Sequence, residues 1–237
     1  MAAVVHFVRH GEVHNPSSVY YGRLPGFHLS SRGFAQATEA AAALAVAAQS
    51  AAARLDGTPQ LGAVRHSPLL RARETAEVLL STAQHEKGQL LEATLHEESL
   101  LLEVYTPFDG TPISEMEAIG WQLYSHGREA DGYEVFTDVL DRVKTVLDAA
   151  LTGGPDGVER HIACVCHGDL CLVARLWGTS SIGEAKIRSA EFSRDDVPYP
   201  DHCSITSLLV TRDDVTGVLS VQWLPQDSEE LAASVQA

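Results

Sequence analysis

Two histidines in this chain stand where one ligand could reach both. His10 lies in Arg9-His10-Gly11-Glu12, and His167 lies in Cys166-His167-Gly168-Asp169. Each follows a short apolar run and precedes a glycine. A glycine there lets the backbone approach a ligand closely with its N–H turned toward it. A third group is Arg71, in Ser67-Pro68-Leu69-Leu70-Arg71-Ala72-Arg73, at the start of a helical pattern. Its guanidinium can donate two parallel charge-assisted hydrogen bonds, which suits a phosphate. Arg73, two positions on, points to a different side of that helix and reads as a surface ion-pair partner.

The elements around these residues explain how they could meet. Residues 3–8 form a β-branched, apolar run that reads as a buried parallel strand ending at Arg9. The runs at 61–66 and 161–166 read the same way, the second ending at His167. A further strand is expected at 90–95, and a hairpin from 205–211 and 218–223. Helices are expected over about 33–54, with Ser30 or Ser31 as cap and Asp56-Gly57 as stop, and from Pro68 to about 81. Two more are expected over 133–151, from the spacing of Val135, Val139, Val143 and Val146, and over 169–177. Strands alternating with helices imply a three-layer α/β/α fold with a mostly parallel central sheet, and ligands in the crevice outside the strand C-termini. Residues 104–131 lack periodicity and hold Pro107, Gly110, Pro112, Gly120 and Gly127. They read as a small cap insertion in a single domain spanning 1–237.

Composition narrows the function. The 237 residues carry 17 Lys+Arg against 32 Asp+Glu, a formal charge of −15. That excludes nucleic acid as a partner, because a phosphate backbone needs a basic face. A small phosphorylated substrate is compatible, since a few converging Arg and His side chains make a local positive pocket on an acidic protein. No run of about 18 apolar residues implies a membrane span. The Ala-rich stretch at 35–53 is interrupted by Gln36, Glu39 and Gln49, and it reads as a helix rather than a targeting segment. The default expectation is a cytoplasmic protein, and nothing in the sequence sets an oligomeric state. Cys164, Cys166 and Cys171 with His167 do not follow the CxxC spacing of zinc modules. They read as buried thiols, with no metal and no cofactor expected.

Four segments together resemble the histidine phosphatase superfamily, whose fold is phosphoglycerate mutase-like. They are Arg9-His10-Gly11-Glu12, the Leu29-Ser-Ser-Arg-Gly-Phe-Ala-Gln-Ala37 stretch, Ser67-Pro-Leu-Leu-Arg-Ala-Arg-Glu-Thr-Ala76, and His167-Gly168. The resemblance runs from residue 4 to about 211 and is weakest between 80 and 160. It implies that His10 is a nucleophile forming a phosphohistidine. It implies that Arg9, Arg71, His167 and Gly168 hold the phosphoryl oxygens, with a further bond from Asn15. Arg23 is a possible substrate contact, and His14 a weaker one. A proton donor is needed for the leaving oxygen. Glu92, Glu97, Glu98, Glu103 and Asp109 are available. Glu103 is the expected proton donor, because the stretch 102–110 is similar to the family's acid segment; Glu97 is the competitor, since Leu95-His96-Glu97 resembles another form of it.

The resemblance implies a metal-independent phosphomonoesterase. The alternatives are a mutase-type phosphotransferase and a non-catalytic phospho-ligand binding module. Hydrolysis is the expectation because the stretch between Glu103 and Tyr133 is modest and the chain ends soon after Trp223. Tyr20, Tyr21, Phe27, Phe108, Trp121 and Tyr124 are candidates to line a pocket for the leaving group, or to belong to the core.

Overall fold

A strand buried on both faces must be covered by an element on each, and two strands here have that character. β1 (Ala2–Arg9) is buried from Ala3 to Val8, and β4 (His161–Cys166) is buried throughout. They lie side by side at the centre of a six-stranded sheet in a computed structural model. The structure describes residues 1–52, 54–55, 61–85, 93–125, 131–153, 160–179, 182–188 and 197–225.

With β2 (Ala63–His66), β3 (Thr94–Glu97), β5 (Ile205–Arg212) and β6 (Leu219–Leu224), the order is β3-β2-β4-β1-β5-β6. The β1–β4, β4–β2 and β2–β3 pairs are parallel; β5 runs antiparallel to β1, and β6 antiparallel to β5. The period-2 alternation of the strands splits the core in two. Ala3, Val5, Phe7, Ile162, Cys164 and Cys166 face α4 (Phe136–Thr152) and α5 (Gly168–Gly178). Val8, Val64, Ala163 and Val165 face α1 (Ser31–Ala52) and α2 (Leu70–His85). The architecture is three-layer α/β/α with a mostly parallel sheet.

Several boundaries differ from the sequence expectation. The third strand is Thr94–Glu97 rather than 90–95, and residues 90–92 lie outside the described residues. All four β3 residues are exposed at the sheet edge, so no burial alternation marked its limits. α2 continues to His85, and the third expected helix starts at Phe136 rather than 133. Between 99 and 125 a 3-10 turn (Ser99–Leu101) and α3 (Ile113–Ala118) break up the irregular stretch, and α6 (Gly183–Arg188) is a further short helix. Gly110, Gly120 and Trp121 all adopt positive φ there, which explains the missing periodicity. Asp56-Gly57 and the tail from 226 lie outside the described residues.

The loop after β1 is laid directly on the start of α1. Ser30 Oγ accepts from the Gly33 N–H at 3.0 Å and donates to Glu12 Oε1 at 2.7 Å, so Ser30 is the cap. A Cβ on Gly11 would fall 2.6 Å from the Gly33 carbonyl oxygen, and a Cβ on Gly33 would overlap the Glu12 carbonyl oxygen. The Gly33→Ala protein must therefore part these backbones, at about 1–3 kcal/mol of stability. Calorimetry should show a Tm lowered by several degrees; an unchanged Tm would contradict this close packing.

Candidate active site

Parallel pairing brings three strand ends to one edge. β2, β4 and β1 are neighbours, and the ladder continues past their ends: His10 N–H donates to Cys166 O at 3.0 Å, and Ser67 N–H to Val165 O at 2.9 Å. His10 follows β1, His167 caps α5 after β4, and Arg71 stands in the first turn of α2 after β2.

Arg71 is among the largest fully buried side chains, at 1% exposure. Its Nε–H donates to His10 Nε2 at 3.2 Å, and its terminal nitrogen to Gly22 O at 2.7 Å and His167 Nδ1 at 3.2 Å. The guanidinium also lies 4.7 Å from the centre of the Tyr21 ring. Because arginine only donates, both imidazole nitrogens facing it must accept. Nδ1 of His10 then carries the proton and donates to Gly11 O at 2.8 Å, while the Nε2 lone pair takes the Arg71 bond. Likewise Nε2–H of His167 donates to Ser67 Oγ at 2.9 Å. Burial, then Arg71, then Arg9 hold His10 well below the usual imidazole range. Burial, then Arg71, then His10 do the same for His167. Both rings are therefore held neutral.

Glu103 approaches from the irregular stretch after the 3-10 turn. Its Oε2 lies 3.5 Å from His167 Nδ1 and 3.9 Å from Arg71, while Oε1 accepts the Val104 N–H at 2.9 Å. Burial, then the Asp169 carboxylate, push its pKa from 4.5 to about 7 against the opposing pull of Arg71. Its rival Glu97 ends β3, exposed at the sheet edge. Arg9 completes the cationic side: it lines the cavity, donates to Pro200 O at 2.6 Å and stacks on Tyr199. Gly168 also lines the cavity, and a Cβ there would strike Tyr199.

Two expected contacts take other positions. Asn15 uses its amide on its own loop, donating to Val19 O at 2.8 Å and accepting from Val19 N–H at 3.3 Å. A phosphate-binding role for it has no support in this geometry. Arg23 braces the stretch that carries Glu103. Its Nε–H donates to Glu103 O at 2.6 Å, and its terminal nitrogen pairs with Glu134 at 2.8 Å. His14 stacks on His28 instead of turning inward, and Arg73 pairs with Glu77 on the surface. All four cysteines are free thiols, and burial pushes Cys164 up to about 12. Among the described residues no group of three or more His, Cys, Asp or Glu converges as a metal-ligand set. No described helix is long and apolar enough to cross a membrane.

Three groups at the site were not singled out from sequence. Asp169 and Tyr199 line the cavity, and His202 stands beside His10. His202 stands 5.7 Å from the His10 ring, with Nε2 buried and without a hydrogen-bond partner. Burial, then Arg9, lower its pKa to about 4. Its loop is stitched to β1 by Cys203 N–H to Arg9 O at 2.9 Å and Arg9 N–H to Ser204 O at 3.2 Å. Asp169 was findable, since it directly follows His167-Gly168; the segment holding Tyr199 and His202 has no periodicity to read. Of the six candidate aromatics, Tyr20, Tyr21 and Trp121 line the cavity. Phe27 packs on Tyr21, and Tyr124 reaches in to Asp169.

With this fold and this constellation, the chain belongs to the histidine phosphatase superfamily (branch 1), whose sequence profile matches residues 5–216. It is 36% identical over 163 residues to the uncharacterized protein Rv0525 of Mycobacterium tuberculosis, covering 69% of this chain and 72% of that one. Among solved structures it is similar to the mycobacterial glucosyl-3-phosphoglycerate phosphatase Rv2419c (TM-score 0.60, 20% identity, 94% of this chain and 98% of that one). It is also similar to a phosphoserine phosphatase of Entamoeba histolytica in complex with 3-phosphoglyceric acid (TM-score 0.56, 17% identity, 94% and 98%). The family membership makes phosphate-ester chemistry, as phosphatase or phosphotransferase, the class of activity.

The raised Glu103 carboxyl has a stability consequence. Below pH 4.5 folded and unfolded chains are both protonated there; as pH rises toward 7 the unfolded chain ionises first and stability is lost. Above pH 7 the loss is complete, on the order of 1–3 kcal/mol. Glu103→Gln should therefore raise Tm at pH 8 and leave it nearly unchanged at pH 4. A variant equally shifted at both pH values would contradict the buried, pH-raised carboxyl.

Proposed function

We propose that this protein is a metal-independent phosphomonoesterase that works through a phosphohistidine on His10, with Glu103 as proton donor. The observation that carries the reading is the His10 imidazole, neutral and tautomerically fixed, with Nε2 facing Arg71. In the first step Arg71 turns its Nε–H from His10 to a phosphoryl oxygen, the freed Nε2 lone pair attacks phosphorus, and the P–O bond to the leaving group breaks. Glu103 gives its proton to the departing oxygen. In the second step the Glu103 carboxylate takes a proton from water, whose oxygen attacks phosphorus as the N–P bond breaks. Arg9, Arg71 and the Gly168 N–H at the start of α5 donate to the phosphoryl oxygens, and His167 joins them when its Nδ1 takes up a proton with the incoming phosphate. Two guanidinium charges supply the electrostatic offset that phosphoryl transfer requires. We read the chain as one domain, with 104–131 as a cap that shields the intermediate.

With p-nitrophenyl phosphate, chelator present and mildly acidic pH, the protein should release phosphate while His10→Ala does not. Equal rates in the two proteins would remove the nucleophile, and loss of activity with chelator would argue for a metal. Incubation with 3-phosphoglycerate and 2,3-bisphosphoglycerate separates hydrolysis from transfer: efficient isomerisation with little phosphate released would favour a mutase.

Glu103→Gln should cost about 10²–10⁴ in kcat/KM on an alkyl phosphate. The loss should be much smaller on p-nitrophenyl phosphate, whose leaving group needs no proton. In the parent enzyme, kcat/KM on alkyl esters should fall as pH rises through about 7, where Glu103 ionises. A pH profile unchanged by Glu103→Gln would remove this residue as the acid.

A further inference from the structure

Glu103 sits where no regular element holds it. Residues 102–106 are neither helix nor strand, yet their backbone is bonded on both sides of the acid. Arg142, from α4, donates to Leu100 O and to Leu102 O, each at 2.7 Å. Arg23 donates from Nε to Glu103 O at 2.6 Å, and its backbone N–H is held by Asp109 at 3.0 Å. One carboxylate joins the two guanidinium groups: Glu134, just before α4. Its Oε2 accepts from Arg23 at 2.8 Å, from Arg142 at 3.2 Å and from the Tyr105 N–H at 2.8 Å. Its Oε1 lies 2.7 Å from Arg142 Nε. Glu134 is pinned in turn, its backbone N–H donating to Tyr105 O at 2.8 Å. The Glu134 and Arg142 side chains are 15% and 14% exposed, so water competes little for these contacts.

We propose that Glu134 is a positioning residue for the proton donor: it holds Arg23 and Arg142 against the backbone on either side of Glu103 and so fixes the acid's carboxyl in the pocket. This rests on the phosphatase reading above, with Glu103 as the acid. Arg142 disfavours the charge on Arg23, and Glu134 offsets that repulsion. Without the carboxylate, two like charges face each other in a partly buried place. They separate, and the three carbonyl groups they hold are released. A general acid must lie within hydrogen-bond reach of the leaving oxygen, and a misplacement of about 1 Å can cost about a hundredfold in rate. Arg9, Arg71 and Gly168 are carried by β1, α2 and α5, so the phosphoryl pocket stands on other elements. The rival reading makes Glu134 a tie that serves stability alone. The two readings differ in whether the effect of its removal depends on the leaving group.

Two esters test it: benzyl phosphate, whose alkoxide must be protonated as it leaves, and p-nitrophenyl phosphate, whose leaving group needs no proton. Glu134→Ala should cost about ten- to a hundredfold in kcat/KM on benzyl phosphate and less than about threefold on p-nitrophenyl phosphate. Combined with Glu103→Gln, the same substitution should cost almost nothing further on benzyl phosphate, because the group it positions is gone. A stability role alone would lower both rates together and would add to the effect of Glu103→Gln. Equal losses on the two esters, or none, would therefore overturn the proposal, and so would additive losses in the double variant. Glu134→Gln keeps the shape, removes the charge and is read the same way where Glu134→Ala does not fold. If Glu103→Gln itself shows no dependence on the leaving group, the acid assignment falls and this proposal with it. If Glu103→Gln shows that dependence and Glu134→Ala does not, this proposal alone falls.

Discussion

A guanidinium buried to 1% exposure must find acceptors for its donors, and the way Arg71 does so organises the pocket. It meets a backbone carbonyl at Gly22, the Nε2 of His10 and the Nδ1 of His167, with Glu103 at 3.9 Å as the nearest carboxyl. These partners come from the loop after β1, the end of β4 and the stretch after the 3-10 turn, so a single side chain ties the functional edge together. Its bonds also decide the protonation of the rings it touches. An imidazole nitrogen that accepts from arginine is unprotonated, and the proton is driven to the far nitrogen, where Gly11 O or Ser67 Oγ receives it.

The same charge accounts for how acid and nucleophile coexist in one small volume. Arg71 and Arg9 disfavour a positive charge on His10, while Asp169 disfavours a negative charge on Glu103. Burial pushes both groups in the same sense, toward neutrality. A neutral imidazole and a protonated carboxyl are the forms that phosphoryl transfer to nitrogen demands. An incoming phosphate dianion then meets two guanidinium charges on a chain whose net charge is −15. The attraction is local, which is why the overall acidity of the protein does not oppose it.

How far the site could be read in advance depended on how each residue is delivered. Arg9, His10, Arg71 and His167 were legible because they sit at fixed offsets from strand ends, and a parallel sheet sends those ends to one edge. The two-faced burial of β1 and β4 was legible as largely apolar runs, although the buried His6–His161 pair within them was not. Loop residues were not. Asn15 folds back on Val19, and Arg23 turns to Glu134 from a distant part of the chain; nothing local shows which way such a side chain points. Segment resemblance alone favours Glu103 over Glu97; in space the two part because Glu97 ends an exposed edge strand while Glu103 is buried beside Arg71. Tyr199 and His202 lie in an irregular segment whose placement is set by two backbone bonds to Arg9.

The central claim is that the Nε2 of His10 accepts the phosphoryl group because Gly11 O holds the proton on Nδ1. Phosphoenzyme trapped from a rapidly turned-over ester by alkaline denaturation, and examined by phosphorus NMR and peptide mass spectrometry, tests it most directly. The account predicts a single phosphohistidine at His10, bonded through Nε2, and none in the His10→Ala protein. A phosphoryl group on His167, on Nδ1 of His10 or on another side chain would contradict it.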